Sequence, residues 1–266
     1  MLRESPAIIR GELEDTMETS MISVDLLKRF ELGAHDGTIG TCSDFLFEDL
    51  SWVIRYLVAD TRKWLPGRKV LISPISIGTV DIVSRTVHIG LSKEQIKNSP
   101  PLDSDAPVSR KYEIFFNRYN DWSDYWGGSD LWGEDAYPRT LKSRKELLDI
   151  EQSVEHRSNL RSIKEVTGYR IHARDGGIGH IDDFLVDQDR WLIRYLVVDT
   201  RNWIPGSQRV IVNPNWVESV DWAERSVSIK MTKEQIESSP AYNRSKAIHR
   251  DYEKSIFDHY EFPYYW

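Results

Sequence analysis

Alternating apolar and polar positions predict that this chain is built mainly from short strands. The clearest alternation runs through Trp52–Asp60 and again through Trp191–Asp199, which are also rich in β-branched and aromatic residues, as strands typically are. Because side chains on a strand alternate between its two faces, Tyr56 is predicted on one face of the first segment and Arg55 on the other. Shorter patterns of the same kind predict further strands at Leu26–Ala34, Ile39–Glu48, Val70–Ser73, Ile77–Val83, Thr86–Leu91, Val166–Ala173 and Ile178–Asp187.

Turn and capping signals separate these strands. Asp36-Gly37 and Asp175-Gly176 are turn dipeptides in which glycine supplies a positive φ, so each is predicted to close a hairpin. A hydroxyl residue followed three positions later by glutamine, at Ser92 and at Thr232, is the capping-box pattern of a helix N-terminus. Each of these helices is predicted to be short, because a proline follows eight residues after its cap.

The two halves of the chain repeat one sequence. Residues 36–67 and 175–206 align without a gap at an offset of 139, with identical residues at 19 of the 32 positions. After one inserted residue the match continues at an offset of 140 into an aromatic tail, where Tyr112-Glu113 corresponds to Tyr252-Glu253. A period this long indicates a duplicated domain and not a stacked array of short repeats.

The duplication sets the predicted domain organisation. A mainly β fold is expected, with two small antiparallel barrels in tandem, each carrying a short helix and an aromatic tail. A pseudo-two-fold axis is expected to relate the barrels, because two-fold pairing is the commonest arrangement of like units. The predicted bounds are a flexible N-terminal arm at 1–21, the first repeat with its tail at 22–126, a linker at 127–161 that is partly helical over Ser143–Glu155, and the second repeat with its tail at 162–266.

Composition narrows the class of partner. The 266 residues include 42 acidic and 35 basic ones, a net charge of −7, which disfavours direct contact with nucleic acid. Cys42 is the single cysteine, so the chain forms no internal disulfide, and we predict a cytoplasmic protein in which Cys42 is a small buried hydrophobe. No apolar run has the length of a transmembrane segment, and residues 1–20 lack the apolar core of an export signal.

The order of motifs resembles that of one known family. DGxIGxxxDFL, WxIRYLVxDTRxWxPG, a KEQI helix and a Tyr/Trp tail occur in this order, and the chain resembles the PRC-barrel family over residues 23–102 and 162–242. That family includes the cytoplasmic barrel domain of the photosynthetic reaction centre H subunit and the C-terminal domain of a ribosome-maturation factor. The resemblance implies two tandem PRC-type barrels.

Two alternative functions follow from this resemblance. The first is an accessory subunit of a photosynthetic electron-transfer complex, like the reaction centre H subunit, in which carboxylates would conduct protons. The second is a factor associated with ribosomes or RNA processing. The carboxylates concerned in the first alternative are Asp44, Asp60, Asp183 and Asp199.

Charged residues around the two Asp-Thr-Arg sequences are the main polar candidates. They suggest ion pairs or a polar groove at a barrel end, formed by Arg55, Asp60, Arg62, Arg194, Asp199 and Arg201. The favoured interpretation is structural, because Asp and Thr commonly bond the backbone of turns. The adjacent carboxylates Asp182 and Asp183 point to opposite faces of a strand, which suits acid–base catalysis poorly. No histidine is retained in both repeats, so we predict a chain that is not an enzyme and has no metal site and no cofactor.

Aromatic residues form the second set of candidates. Trp64 and Trp203 precede Pro-Gly turns and are predicted to plug a barrel end or to lie at an interface. The tails are predicted to be extended segments that either pack over a barrel of the same chain or capture a partner, including a second copy in a homodimer. The predicted function is a non-catalytic binding or scaffold protein that acts through protein–protein contacts. Its candidate interface aromatics are Trp64, Trp122, Trp126, Trp203, Tyr265 and Trp266.

Overall fold

The mainly β class predicted from the sequence is confirmed. The structure is a computed structural model that describes residues 21–61, 65, 68–100, 108–139, 159–201 and 208–266. Its strands form two seven-stranded sheets. Residues 1–20 of the arm predicted at 1–21, and the predicted linker helix at 143–155, lie outside the described residues, whereas Met21 lies in a strand. Three candidate site residues also lie outside them: Arg62, Trp64 and Trp203.

Strands and helices occur in the same order in the two halves of the chain. The first half contains β1 (Met21–Ser23), α1 (Val24–Leu27), β2 (Glu31–Ala34), β3 (Gly37–Glu48), β4 (Ile54–Asp60), β5 (Lys69–Ile72), β6 (Ile77–Asp81), β7 (Thr86–Ile89), α2 (Lys93–Asn98) and α3 (Arg110–Asn120). The second half contains β8 (Leu160–Ser162), α4 (Ile163–Val166), β9 (Arg170–Ala173), β10 (Gly176–Asp187), β11 (Leu192–Asp199), β12 (Arg209–Val212), β13 (Val217–Asp221), β14 (Ser226–Ile229), α5 (Lys233–Glu237) and α6 (Arg250–Tyr260). Both predicted capping boxes are present, at the starts of α2 and α5.

The two sheets share one strand order. It is β5-β4-β3-β2-β7-β6 in the first repeat and β12-β11-β10-β9-β14-β13 in the second. β2 pairs parallel with β7, and β9 pairs parallel with β14, whereas hairpin neighbours such as β3 and β4 are antiparallel. Within the described part of the chain, no pairing joins the two end strands of either sheet, so each sheet is an open path and closure into a barrel is not seen.

One glycine in each sheet permits a close approach of two strands. Gly40 has a φ of +127°, and a Cβ atom built there would lie 1.9 Å from the carbonyl oxygen of Asp60. The equivalent Gly179 has a φ of +152° and would meet the carbonyl oxygen of Asp199 at 2.1 Å. Only glycine fits such a position, so the second glycine of each DGxIG sequence is required by the fold.

Each sheet is completed by a strand that precedes the other repeat in sequence. β1 pairs antiparallel with β10, and β8 pairs antiparallel with β3. The Ser23 hydroxyl donates to Asp183 Oδ2 at 2.5 Å, and the Ser162 hydroxyl donates to Asp44 Oδ2 at 2.5 Å. The same Ser–Asp hydrogen bond therefore holds the exchanged strand in both sheets.

This exchange makes the compact units differ from the predicted domains. The first-repeat unit consists of Val24–Glu165 and Gln188–Ile193. The second-repeat unit contains β1 together with Val166–Asp187 and Arg194–Trp266. The predicted bounds at 22 and 162 assign β1 residues and Ser162 to the repeats that follow them, whereas hydrogen bonding assigns them to the other sheet.

Equivalent residues of the two repeats pair directly within the first-repeat unit. The backbone N–H of Ile54 donates to the Trp191 carbonyl at 2.7 Å, and that of Ile193 donates to the Trp52 carbonyl at 2.9 Å. The residues between them form an antiparallel bridge. Trp52 and Trp191 both have a positive φ, of 59° and 54°. Such pairing of a segment with its own equivalent is the pattern of an isologous contact.

Each aromatic tail begins as a helix and not as the predicted extended segment. The first tail helix, α3, follows Ser109, whose hydroxyl oxygen accepts a hydrogen bond from the Tyr112 N–H at 3.2 Å. It ends where Asp121 turns left-handed. Phe116 packs edge-on against Tyr56 of β4, with ring centroids 5.5 Å apart. Burial of one helix face against the sheet stabilises this conformation.

Candidate functional site

Within each repeat, the described residues of the predicted polar groove are divided between the two ends of one strand. Arg55 and Asp60 are five positions apart on β4, which places them on opposite faces and about 17 Å apart along the strand. The same spacing separates Arg194 from Asp199 on β11. Each arginine belongs to a cluster under the aromatic tail, and each aspartate lies at the other end of its strand.

Arg55 is a buried cation in the first-repeat unit, 3 % exposed. Its Nη2 donates to Glu48 Oε2 at 2.7 Å, and its guanidinium lies 3.8 Å from the centre of the Tyr125 ring and 4.9 Å from that of Trp132. Burial alone would raise the pKa of Glu48, but the charge of Arg55 and hydrogen bonds from Arg55 and Ser51 outweigh it and lower the pKa. Arg55 therefore forms an ion pair with Glu48 and packs against two aromatic rings.

Arg194 occupies the equivalent place in the second-repeat unit. Its Nη2 donates to Asp187 Oδ2 at 3.0 Å, and its guanidinium lies 4.3 Å from the centre of the Tyr265 ring. Cation–π contacts of this geometry are strongest where water is excluded. Both strand arginines thus hold a tail tyrosine in place.

A buried glutamate anchors the first tail. Glu113 on α3 is fully buried and accepts hydrogen bonds from the hydroxyls of Tyr125, at 2.7 Å, and Tyr56, at 3.3 Å. Arg110 Nη1 lies 3.3 Å from its other carboxylate oxygen. The Arg110 guanidinium also stacks 4.1 Å from the centre of the Trp126 ring. We call these residues around Glu113 the first tail cluster.

The second tail is anchored in the same way. Glu253 on α6 is fully buried and accepts from the hydroxyls of Tyr195, at 2.6 Å, and Tyr265, at 2.7 Å. Arg250 Nη1 donates to it at 2.8 Å and its guanidinium lies 4.4 Å from the centre of the Trp266 ring. We call these residues the second tail cluster. The two clusters explain why Tyr-Glu and Tyr-Trp recur at matching positions in the tails.

Tyrosines in both clusters stay protonated. Burial, followed by the charge of Glu113, raises the pKa of Tyr56 and of Tyr125. Burial and the charge of Glu253 likewise raise the pKa of Tyr195, and that of Tyr265 to about 12. Neutral phenols donate hydrogen bonds throughout the physiological pH range, so each cluster is a stable buried network.

Four of the predicted interface aromatics lie among the described residues, and these four are largely occupied within their own units. Trp122 is 7 % exposed and packs edge-on against Phe116, with ring centroids 5.8 Å apart. Trp126 contacts Tyr125 with ring centroids 4.8 Å apart. Trp266 is the most exposed of the group, at 46 %, and it also contacts the Tyr265 ring. These residues cover the two tail clusters.

A cluster of alternating charges surrounds Asp199. Its carboxylate accepts hydrogen bonds from Arg201, which are the main reason that its pKa is lowered. Asp182 accepts from Arg209 and from Arg244. Side-chain ligand atoms of His180, Asp182 and Asp199 come within 4.8 Å of one another, but a cation placed there would compete with the arginines. The arrangement is charge-compensated, and the first repeat has Thr41 and Ser43 in place of His180 and Asp182.

A cavity of about 580 Å³ lies beside the start of α6. Its described lining contains a histidine, a lysine and two tyrosines, which can transfer protons. The same lining contains no carboxylate of the kind that orients a catalytic histidine. His249, the residue before the helix, makes no side-chain capping hydrogen bond. The lining residues are Ala241, Tyr242, Asn243, Lys246, Ala247, Ile248, His249 and Tyr252.

Exposed hydrophobic side chains differ between the repeats. Among the described residues, the large ones that are exposed in the first-repeat unit are Leu50, Ile82, Val83, Phe115 and Tyr119. The equivalent positions of the second repeat carry Asp189, Trp222, Ala223, Ser255 and His259. Aligning the two repeats and reading the positions at which they differ would reveal these exposed hydrophobic residues. A search for residues that both repeats share does not find them.

Phe115 and Tyr119 form an exposed aromatic pair on α3. They are four residues apart, so they lie on one helix face, and they are 54 % and 43 % exposed. The Tyr119 hydroxyl donates to the Gln95 carbonyl at 3.1 Å, which restricts its ring. A held aromatic ring at the surface loses little conformational freedom when a partner covers it.

Comparison with protein-family models and with curated proteins found no match for this chain. Among the described residues, no helix combines the length and the apolar character needed to cross a membrane. The function of this chain is therefore inferred from the geometry of its own residues. The aromatic pair on α3 is the feature that packing within the chain explains least.

Proposed function

We propose that this chain is a non-catalytic binding or scaffold protein built from two PRC-type barrel repeats. The strand order common to both sheets supports the tandem architecture. The close approaches at Gly40 and Gly179 support it as well, because they recur at equivalent positions. We place the protein in the cytoplasm, which its single cysteine favours.

The polar clusters support a binding role over catalysis. Glu113 and Glu253 are fully buried, accept hydrogen bonds from tyrosine hydroxyls and form ion pairs with arginines. Asp199 is paired with Arg201. Carboxylates held in this way are poorly placed to exchange protons with a substrate, because protonation would break an ion pair with an arginine.

The aromatic pair on α3 is the observation that carries this proposal. Protein interfaces are enriched in exposed aromatic anchors, and Phe115 and Tyr119 are 54 % and 43 % exposed. The equivalent helix α6 has Ser255 and His259 at these positions. The aromatic pair is therefore not required for a tail helix to pack on its sheet. Binding of a partner explains why two exposed aromatic residues are present on α3.

Affinity purification from the cells that produce this protein tests the proposal. We expect the wild-type chain to retain one or more proteins in stoichiometric amounts and the variant F115S/Y119H to lose them. Both substitutions introduce residues that α6 already carries, so the fold should be kept. L50D, which places the second repeat's residue at another exposed site, is the matched control and should retain the partner. Recovery of the same proteins with F115S/Y119H would contradict the proposal.

The two alternative functions receive less support. A proton-conducting role like that of the reaction centre H subunit would use Asp44 and Asp183, which bind the exchanged strands through Ser162 and Ser23. A role in direct RNA contact is opposed by the net charge of −7. Co-purification with pigment-containing membranes or with ribosomes in the experiment above would favour these alternatives.

A further inference from the structure

We propose that α3 of one chain binds α6 of a second copy of the same chain. The contact on one side is the outer face of α3, defined as Lys111, Phe115, Arg118 and Tyr119. The contact on the other side is the outer face of α6, defined as Asp251, Ser255, Asp258 and His259. This inference rests on the proposed function and deepens it by naming the partner of the aromatic pair.

Helical spacing places each set of four residues on one face. Positions i, i+4, i+7 and i+8 are neighbours on the surface of an α-helix. All four residues of the α3 set are exposed, as are three of the α6 set, with His259 half-buried. Both helices have 11 residues, which is three turns and long enough to present the whole face.

Charges on the two faces are complementary at equivalent positions. Lys111 corresponds to Asp251, and Arg118 corresponds to Asp258. When the two helices lie side by side, either a parallel or an antiparallel arrangement brings the cations of one against the anions of the other. The pairing therefore does not depend on one helix direction.

Shapes are complementary at the centre of the same faces. Phe115 lies between Lys111 and Arg118, and its equivalent on α6 is Ser255. When the two helices lie parallel, a large aromatic ring therefore meets a small side chain, which is the packing of a ridge against a groove that helices favour.

A second copy fits this surface better than a uniformly charged partner does. Self-association satisfies the cationic face and the acidic face at once, whereas an acidic partner would leave the face of α6 unoccupied. A single pair of short helices buries less area than the roughly 1,200 Å² of a stable interface. We therefore expect association that is weak, concentration-dependent and weakened by salt.

Sedimentation equilibrium of the full-length chain over a concentration series tests this inference. We expect the average mass of the wild type to rise above that of the monomer as concentration increases. The variants K111D/R118D and D251K/D258R place like charges against each other, so each should weaken association by at least about tenfold. The variant that combines all four substitutions restores the opposite charges and should recover the wild-type mass. Circular dichroism of each variant checks that it is folded.

Three outcomes would overturn the inference. They are a wild-type chain that stays monomeric at every concentration, association that is unchanged in folded K111D/R118D, and a combined variant that does not recover. A chain that is monomeric but still loses a foreign protein through F115S/Y119H refutes self-association and leaves the proposed function standing. If the chain neither associates nor retains any protein, both proposals fail.

Discussion

The tail helices α3 and α6 are alike on their buried sides and different on their exposed sides. Each buries a glutamate that accepts hydrogen bonds from two tyrosines and forms an ion pair with an arginine. On the exposed side, Phe115 and Arg118 of α3 are replaced by Ser255 and Asp258 of α6. After the duplication, packing against a sheet maintained the inner side of both helices. Residues that differ between the repeats are therefore better guides to recognition than residues that the repeats share.

The largest expected effect comes from removing the buried glutamate that both tail helices have in common. Substituting Glu113 or Glu253 with alanine removes the anion that pairs with an arginine and accepts from two tyrosine hydroxyls. The free energy of unfolding should fall by about 3–5 kcal/mol for Glu113, whose partner Arg110 is buried, and by less for Glu253, whose partner Arg250 is half-buried. Chemical denaturation measures the change. Glu94→Ala, on the exposed surface of α2, is the control and should cost less than about 1 kcal/mol. A loss below that value for Glu113→Ala would show that the cluster does not hold the tail.

A smaller effect is expected at the glycines that both sheets share. Gly40→Ala combines a positive φ with a Cβ atom placed 1.9 Å from a carbonyl oxygen, and should cost about 2–4 kcal/mol. Gly168 also has a positive φ, of +91°, but has nothing within 4 Å of its added Cβ. Gly168→Ala should therefore cost only about 1–2 kcal/mol. Equal losses for the two variants in thermal unfolding would mean that the close approach of the strands relaxes freely.

The smallest effect concerns an ion pair whose two residues, Asp199 and Arg201, occur in both repeats. Hydrogen bonds from Arg201 hold the pKa of Asp199 below its ordinary value, so the pair stabilises the fold above about pH 4 and loses this effect as pH falls through the lowered pKa. Arg201 is about half exposed, at 52 %, so solvent screens the pair and its contribution is small.

Unfolding measured between pH 5 and pH 2 checks this expectation. Asp199→Asn and Arg201→Gln should each remove the same small part of the acid dependence, because either change abolishes the pair. Arg174→Gln, at an exposed arginine, should leave the acid dependence unchanged. Different acid profiles for Asp199→Asn and Arg201→Gln would show that Asp199 acts through another partner, such as Arg209.

Local features of this fold could be predicted from the sequence. The strand through Trp52–Asp60 is found at Ile54–Asp60, and the capping boxes at Ser92 and Thr232 form as expected. Turns, caps and alternation involve residues within a few positions of each other, so their physical causes are visible in a short window of sequence.

Long-range features could not be predicted in this way. β1 has three residues, too few for alternation to indicate a strand, and its partner β10 lies in the other repeat. The separation of Arg55 from Asp60 was predictable, because an odd spacing on a strand places side chains on opposite faces. The tail helix was missed because its dense aromatic residues hid the helical spacing of Glu113 and Phe116, whose burial depends on the sheet beneath them.

Strand exchange also determines the order in which this protein can be completed during synthesis. Ser23 leaves the ribosome 160 residues before its partner Asp183. At roughly 5–20 residues per second, β1 waits roughly 8–30 s for the strand that it pairs with. The sheet of the first repeat likewise lacks β8 until the chain has passed residue 162. The first sheet is therefore incomplete when its own repeat has been translated, and β1 has no partner strand until the second repeat emerges. A nascent chain thus exposes unpaired strand edges for most of its synthesis.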